Sequence, residues 1–354
     1  MNKMLTAVMV IGVLVMTGCE SVDKKCCSVG CVGVALKTPK LAVKLESAYK
    51  NPDGMTIKDG VIWLTINNVA QDAPSCIVKI TKDNKIEKII DLPISKDTGV
   101  VSALGLVFGS DGNLYVSDNQ NLAGKGYAKS RILRVVMQDG KVTGDVEVVA
   151  TGLHAANGIA VQGDSIFVNE TTFGEAVPLI SGTYQFKLAE LKADAPVKVD
   201  GTVKDPHVIF SMQTKGMPVG ANGLCFDCCG NMYVANFGDK EIWQIAFDAD
   251  GVVSGNKLFT TVAGAESIDG MHYDGEGAIW LADFLGCAVF RVCVKSGKTT
   301  LIAKNAPGDG VNGELDAPSE CIRLGNKVYV SNIDLTFGPN TADETYTLSV
   351  IELD

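Results

Sequence analysis

A short pattern returns along the chain at intervals of about 50 residues, and it limits the fold more than any other feature. In its clearest copy, residues 219–237, Asn222-Gly223 precedes a short strand, a turn at Gly230-Asn231 and a second strand ending at Asn236. The copies are separated by 51, 53, 65, 47 and 50 residues, measured between Gly54, Gly105, Gly158, Gly223, Gly270 and Glu320, which occupies the glycine position of the sixth copy. Repeats of this length, with period-two strands and Gly/Asn/Asp turns, are typical of β-propellers.

Six copies predict an all-β fold, a six-bladed β-propeller of four-stranded antiparallel blades, over residues 41–354. Each repeat can bury its faces only against its neighbours, so the array is expected to be one domain despite its length. The strands expected near the two ends, residues 41–45 and 346–353, should share one blade. That arrangement closes the ring and leaves no open sheet edge.

The first 19 residues have the composition of an export signal. Lys3 gives a positive start, residues 4–16 are apolar, and Thr17-Gly18-Cys19 places small residues before a cysteine. This resembles a bacterial lipoprotein signal with Cys19 as the lipidated residue, although Met16 stands where leucine is usual. An ordinary secretory signal or an uncleaved anchor is the alternative. We expect residues 20–40 to be a tether and the protein to be exported, at the outer membrane and facing the periplasm.

Charge and cysteine content restrict the partners of the exported part. Loss of Lys3 with the signal leaves 30 basic and 41 acidic residues, a net charge of −11. The sequence has no basic stripe, so we exclude nucleic acid and expect a monomer that touches the membrane only through its lipid. Ten cysteines remain after Cys19, and we expect disulfides or buried thiols. A zinc site is the less favoured alternative, because Cys225 and Cys228 form the one compact pair.

The residue before each repeat glycine should open the innermost strand of a blade, beside the central channel. These positions hold Asp53, Leu104, Asn157, Asn222, Asp269 and Ser319. Four of the six carry side-chain oxygens, a hard-ligand set suited to Ca²⁺, with Mg²⁺, Mn²⁺ or Zn²⁺ as alternatives. Asn-Gly and Asp-Gly are also common turn dipeptides that tolerate left-handed backbone. That interpretation does not explain why the four lie at the same phase of the repeat.

The same four dipeptides resemble the metal-binding positions of the SMP-30/gluconolactonase/LRE-like six-bladed propellers, relatives of diisopropyl fluorophosphatase and the paraoxonases. The resemblance covers about residues 41–354. It implies an enzyme, a divalent-metal-dependent hydrolase of a small-molecule lactone or ester, with the metal bound in the channel by Asp53, Asn157, Asn222 and Asp269. Asp269 would also act as general base or nucleophile. The family usually has glutamate as first ligand, so Asp53 is a departure and Glu46 is a second candidate.

The resemblance also suggests where substrate would bind. Ser319 matches a small pocket residue of the family, and Glu320 beside it would add negative charge near the ion. Glu170 and Asn119 end second strands and would contact substrate from the rim, near residues of the same kind: Asp118, Asn236, Asp283 and Asn332. Such residues can equally cap strand ends. His272 is interpreted as a core residue, with a second calcium ligand as the alternative.

Long connections follow several second strands and should lie on the face that carries the site. They include residues 119–130, 171–181 and 333–345, and the excess length near blade four also covers residues 200–220. Loops on a rigid scaffold commonly carry binding, so we expect them to set specificity, although idle insertions would look the same. A non-catalytic propeller that binds a ligand or protein through this face is the alternative function.

Overall fold

Short antiparallel strands make up nearly all regular structure in residues 35–353, the part of the chain that this computed structural model describes. Their six innermost strands contact one another in a ring around a central channel. The helical structure in this range is one 3₁₀ turn, Leu188–Glu190. The described residues contain no helix with the length and hydropathy needed to span a membrane. The predicted signal, Cys19 and most of the predicted tether lie outside the described residues and stay predictions.

Each blade contains four strands that follow one another from the channel outward. The first three blades are built from β2 (Pro52–Lys58), β3 (Val61–Ile66), β4 (Cys76–Ile80) and β5 (Ile86–Asp91); from β6 (Ala103–Phe108), β7 (Leu114–Asp118), β8 (Ser130–Gln138) and β9 (Lys141–Leu153); and from β10 (Ala156–Gln162), β11 (Ser165–Glu170), β12 (Leu179–Lys187) and β14 (Val208–Thr214). Blades four and five contain β15 (Ala221–Phe226), β16 (Met232–Asn236), β17 (Glu241–Phe247) and β18 (Val253–Thr261), then β19 (Met271–Tyr273), β20 (Ala278–Asp283), β21 (Ala288–Cys293) and β22 (Thr299–Lys304).

The sixth blade joins the two ends of the described chain. It consists of β23 (Pro318–Leu324), β24 (Lys327–Asn332), β25 (Thr347–Glu352) and, as its outermost strand, β1 (Lys40–Lys44). Strand β1 pairs antiparallel with β25, with Lys40 opposite Val350 and Lys44 opposite Thr347. The all-β, six-bladed prediction is therefore confirmed, including closure of the ring within one blade.

The extra residues between the third and fourth repeats form part of a blade and not only a surface loop. Residues 200–220 were expected to be a surface connection, but they contain β14, the outermost strand of blade three. The connection from β12 to β14 runs back to blade two, where β13 (Val197–Lys198) pairs in parallel with β9 as a fifth strand. Buried Leu191 and Val199 anchor this excursion in the core between the blades. Burial of these side chains explains why the segment leaves the four-stranded plan.

Neighbouring blades pack face to face, and aspartates in the inner hairpin turns tie large aromatic residues into these cores. The side chain of Tyr233 donates to Asp227 at 3.1 Å, and that of Trp280 donates to Asp274 at 2.9 Å. Tyr115 donates in the same way to Asp111. Buried aromatic residues with polar tips need such a partner, so each turn aspartate positions a core side chain.

Six of the seven cysteines of the described chain follow the favoured expectation, and Cys229, which is exposed, does not. Cys76, Cys225, Cys287 and Cys321 are buried thiols. Cys228 and Cys293 are disulfide-bonded. In residues 35–353 the compact cluster of three acidic, histidine or cysteine ligands consists of aspartates and includes no cysteine.

The repeat glycines allow the inner strands to approach closely enough to enclose the channel. A Cβ on Gly54 would lie 2.6 Å from the Leu104 carbonyl oxygen of the next blade, and one on Gly223 would lie 2.5 Å from that of Asp269. Gly105, Gly158 and Gly270 face the next blade in the same way. None of the five has a positive φ, so the turn-dipeptide interpretation does not apply to them.

We expect Gly223→Ala to destabilise the protein by about 1–3 kcal/mol, because the new methyl group must displace the Asp269 backbone. Gly255→Ala is the matched control. Gly255 also lies in a blade-four strand, but a Cβ there meets nothing within 4 Å. Urea denaturation of both variants checks the prediction, and equal midpoints for the two would contradict it.

Candidate metal centre and active site

Bulges at the start of the inner strands turn the predicted ligands toward the channel. The register of β2 against β3 shifts between Pro52 and Met55, on either side of Asp53. Corresponding shifts in β10 and β15 surround Asn157 and Asn222. A β-bulge changes the direction of a side chain, and here it does so at the same point of several repeats. The alternation of apolar residues along each strand would not reveal this.

Asp269 reaches the channel wall at a similar irregularity just before the strand, where Asp269 and Gly270 together lie opposite Ala282. It lies two residues before β19, and its backbone N–H donates to the Ala282 carbonyl at 2.9 Å. Its own carbonyl accepts from the Gly223 N–H of blade four at 3.0 Å. The residue is therefore held by hydrogen bonds from its own blade and from the preceding one.

Polar side chains on second strands fix the carbonyl groups of the site positions. The hydroxyl of Thr65 donates to the carbonyl of Leu104 at 2.6 Å, and that of Ser331 donates to the carbonyl of Asp53 at 2.6 Å. The amide of Asn169 donates to the Asn222 carbonyl at 2.7 Å. These contacts link consecutive blades at the level of the site. They could not be predicted from the sequence, because Thr65, Asn169 and Ser331 are of three residue types and form no shared motif.

The four predicted ligands form the partition between two cavities of the channel. The upper cavity, about 460 Å³, and the lower cavity, about 410 Å³, are both lined by Asp53, Asn157, Asn222 and Asp269. Leu104 lines the upper cavity, whereas Ser319 and Glu320 line the lower one. The structure therefore brings the four residues together at one level of the channel. Glu46, the second candidate for the first ligand, is exposed in the loop after β1 and lines neither cavity.

Three acidic side chains meet at this partition, and their pKa values are raised. Enclosure by protein raises the pKa of Asp53 to about 7 and that of Glu320 to about 8, the latter also because Asp53 lies close by. Burial also raises the pKa of Asp269 well above its usual value, helped by Asp53 and Glu320 and opposed by a hydrogen bond from Asn222. None of the described residues lining either cavity is lysine or arginine.

These residues fit a divalent metal ion. Two carboxylates and two amide oxygens from four blades are the hard ligands that Ca²⁺ and similar ions take. Buried carboxylates are costly when unpaired, and a bound cation removes that cost. Glu320 adds a third carboxylate on the lower side of the same partition.

His272 lies beside this charge but is held neutral. It faces the lower cavity, and burial lowers its pKa to about 4, which the nearby Asp274 only partly opposes. Neutral imidazole is compatible with either interpretation made from the sequence, a core residue or a ligand.

The residues predicted to contact substrate divide between the two cavities and the core. Asn119 lines the upper cavity, where its side-chain oxygen accepts from the Leu122 N–H at 2.9 Å. Ser319 is buried, and its hydroxyl donates to the Pro52 carbonyl at 3.2 Å, so it contributes to closure of the ring. Glu320 lies in the lower cavity, on the opposite side of the partition from Asn119.

The structure places Glu170 away from both cavities, which corrects the expectation that it contacts substrate. It is fully buried, and its carboxylate accepts hydrogen bonds from the N–H groups of His154 and Ala155. Asp118 accepts in the same way from the Ser102 N–H, and Asp283 from the Ser267 N–H. These acids secure the loop that enters the inner strand of their own blade. Strand-end capping, the alternative interpretation, therefore describes them better than a substrate rim.

Part of the chain matches the model of a known protein family. Residues 169–304 match the SMP-30/Gluconolactonase/LRE-like region. The match confirms the resemblance expected from the sequence, and it includes Asn222 and Asp269 but not Asp53 or Asn157. Comparison with curated protein sequences gave no match.

Similar solved structures extend over the whole propeller at low sequence identity. A gluconolactonase from Xanthomonas campestris is 15% identical over 91% of this chain and 97% of its own, with a TM-score of 0.54. Regucalcin from Agrobacterium tumefaciens, a calcium-binding protein, is 14% identical over 91% and 95%, with a TM-score of 0.56. A PQQ-bound aldose sugar dehydrogenase from Streptomyces coelicolor is 14% identical over 90% and 99%, with a TM-score of 0.53. Such likeness shows the shared fold alone.

The raised carboxylate pKa values predict that the protein, kept free of divalent metal with EDTA, loses stability as pH rises from 5 to 8. The folded chain holds protons on Asp53 and Glu320 up to about pH 7 and 8, whereas the unfolded chain releases them near pH 4. The folded state is therefore favoured at low pH, and this advantage is lost as pH rises through the folded pKa values. Each such proton contributes at most about 1.4 kcal/mol per pH unit.

Urea denaturation between pH 5 and 8 measures this dependence. Glu320→Gln should reduce the slope of unfolding free energy against pH, and Glu87→Gln, an exposed carboxylate on β5, should leave it unchanged. An unchanged slope in Glu320→Gln would show that Glu320 is not protonated in the metal-free fold.

Proposed function

We propose that this protein is a divalent-metal-dependent hydrolase of a lactone or small ester. The observation that carries the proposal is the convergence of Asp53, Asn157, Asn222 and Asp269 at one partition of the channel, with an open cavity above it. The gluconolactonase among the similar structures and the match to residues 169–304 support the reaction class. Ca²⁺ is the preferred ion, supported by regucalcin, with Mg²⁺, Mn²⁺ or Zn²⁺ as alternatives.

A bound divalent ion would supply Lewis-acid polarisation of the ester carbonyl and would lower the pKa of the attacking water. Asp53, Asn157, Asn222 and Asp269 would hold it, and their own chemistry assigns the remaining roles. Asp269 can accept a proton from water or attack the carbonyl itself. The hydrogen bond from Asn222 orients the Asp269 carboxylate. Asn157, from the neighbouring blade, offers an amide that can donate to the substrate oxygen.

The upper cavity favours substrates with an apolar substituent. Its rim carries three phenylalanines whose ring centres are 6.1–6.2 Å apart: Phe237, Phe284 and Phe337. Leu104 and Leu122 also contribute apolar surface to this cavity. Apolar walls with few polar groups bind apolar ligands and exclude water from the reacting bond. We therefore propose a lactone with an alkyl or aryl group, held by this rim while its carbonyl faces Asp269.

The setting of the protein is also a proposal. We propose that it is exported, lipidated at Cys19 and held at the outer membrane as a monomer facing the periplasm. The composition of residues 1–19 supports this, together with a net charge that disfavours nucleic acid.

Asp269→Asn should reduce lactone hydrolysis by about 10²–10⁴-fold, because the amide cannot accept the proton or attack. The measurement is turnover of a lactone panel with and without Ca²⁺, Mg²⁺, Mn²⁺ or Zn²⁺, with metal content determined on the same samples. Asp248→Asn, in the exposed turn after β17, is the control and should retain activity. Full activity in Asp269→Asn would reject its role. Absence of both metal and turnover in the wild type would favour the non-catalytic binding propeller.

Phe337→Ala should raise the KM for alkyl- or aryl-substituted lactones by about tenfold, because a large apolar contact worth about 1.5–3 kcal/mol is lost. The kcat for these substrates should change little, since Phe337 lies at the rim and not at the partition. An unsubstituted lactone serves as control substrate, and its KM should stay the same. Equal changes for both classes of substrate would argue against the proposed rim specificity.

A further inference from the structure

Three aspartates of blade six form a compact acidic cluster that lines neither cavity of the channel. Asp316 lies in the loop before β23, Asp334 follows β24, and Asp343 lies in the loop before β25. One carboxylate oxygen of each lies within 4.8 Å of those of the other two. Asp316 and Asp334 are each only 1% exposed, whereas Asp343 is exposed. The cluster is therefore buried on one side and open on the other.

The deepest of the three carboxylates is incompletely bonded. Oδ2 of Asp316 is buried and has no hydrogen-bond partner. No lysine, arginine or histidine in the described chain forms an ion pair with any of the three aspartates. A buried, unpartnered carboxylate oxygen beside two further carboxylates is costly unless a cation or a proton neutralises it.

The hydrogen bonds accepted by the other two aspartates leave lone pairs that can ligate a cation. Asp334 accepts from the N–H groups of Asp343 and Glu344 at 2.9 and 2.8 Å, and Asp343 accepts from the Thr345 N–H at 2.9 Å. A carboxylate oxygen has two lone pairs, so each retains capacity to ligate. These hydrogen bonds fix the carboxylates of Asp334 and Asp343 against the backbone of residues 343–345.

We propose that Asp316, Asp334 and Asp343 form a Ca²⁺ site, separate from the channel. Three carboxylates with an exposed side for water are the oxygen ligands that Ca²⁺ takes in irregular geometry. A shared proton is the competing explanation, because burial and the neighbouring Asp334, Asp343 and Asp309 raise the pKa of Asp316 to about 8. The two explanations differ in whether calcium binds.

The position of the site connects it to the mouth of the upper cavity. Asp334 and Asp343 lie on the 333–345 loop, which also carries Ile333, Leu335 and Phe337 on the cavity wall. Between the two aspartates the loop turns back, with a β-bridge from Phe337 to Asn340. A cation bound at both ends of this loop, and to Asp316 beneath it, would hold the rim in place.

Calcium stoichiometry of the full chain tests the site, measured by equilibrium dialysis against radioactive Ca²⁺. Asp316→Asn should lose one bound ion per chain, and Asp343→Asn should lower the affinity for that ion at least tenfold. Asp309→Asn is the matched control. Asp309 adds negative charge near Asp316 but is not in the cluster, so this variant should keep the stoichiometry and change affinity less than threefold.

Calcium bound at the cluster is distinguished from calcium bound in the channel by repeating the measurement in Asp269→Asn. An ion that persists in Asp269→Asn and is lost in Asp269→Asn/Asp316→Asn would belong to the cluster, even if the channel binds nothing and the proposed hydrolase function fails. Equal calcium binding by Asp316→Asn, Asp343→Asn and Asp309→Asn would overturn the proposal. Circular dichroism must show folded protein, and Asp343→Asn, changed at an exposed residue, keeps the test valid if Asp316→Asn does not fold.

Protection of the loop gives a second readout. In the Asp269→Asn background, Ca²⁺ should slow proteolytic cleavage within residues 333–345 at least fivefold, and Asp316→Asn should remove that protection. Cleavage that is insensitive to Ca²⁺ would contradict the proposed effect on the rim.

Discussion

The close contact between each repeat glycine and the backbone of the next blade is the constraint on which the rest of the structure depends. Gly54, Gly105, Gly158, Gly223 and Gly270 each lie where a Cβ would collide with a neighbouring inner strand. Six strands can surround a narrow channel only if they approach at this distance. The residue before each glycine is then brought to the same level of the channel. Fold and site therefore share one sequence element.

This narrow channel sets the electrostatics of the site. Asp53, Asp269 and Glu320 are enclosed together where no lysine or arginine lines the cavities, and each has a raised pKa. Without a cation, the fold keeps these groups near neutral by protonation, which works against their use as bases. A bound cation would stabilise their ionised forms. Under the proposed function, metal affinity and the basicity of Asp269 would be coupled, since the same carboxylates would hold the ion and accept the proton.

Much of this arrangement could be predicted from the sequence because it repeats. The period of about 50 residues predicts six blades, and the shared phase of Asp53, Asn157, Asn222 and Asp269 predicts their meeting at one level. The reason for the glycines was not predictable, because a collision with another blade leaves no local signal. Glu170 illustrates the opposite error. Its position at a strand end predicts contact with substrate at the rim of the site. The path of the preceding loop, which the sequence does not reveal, instead brings backbone N–H groups to its carboxylate.

The aspartate cluster was hidden for a related reason. Asp316, Asp334 and Asp343 are separated by 18 and 9 residues, follow no metal-binding spacing, and lie in parts of the repeat that other blades do not copy. Their meeting depends on how the 333–345 loop returns to the blade, which is specific to this chain.

The two positions of the repeat that carry no candidate metal ligand face different cavities. Leu104 and Ser319 occupy blades two and six, so they lie on either side of Asp53 in the ring. Leu104 lines only the upper cavity, whereas Ser319 lines only the lower one and uses its hydroxyl to bond the Pro52 carbonyl. On the side of blade two, the four candidate ligands therefore adjoin an apolar wall of the upper cavity. On the side of blade six, the contact between Ser319 and the Pro52 backbone closes the ring beside them. Under the proposed function, a lactone would enter through the upper cavity. Its carbonyl would pass Leu104 and approach Asp269, the proposed base.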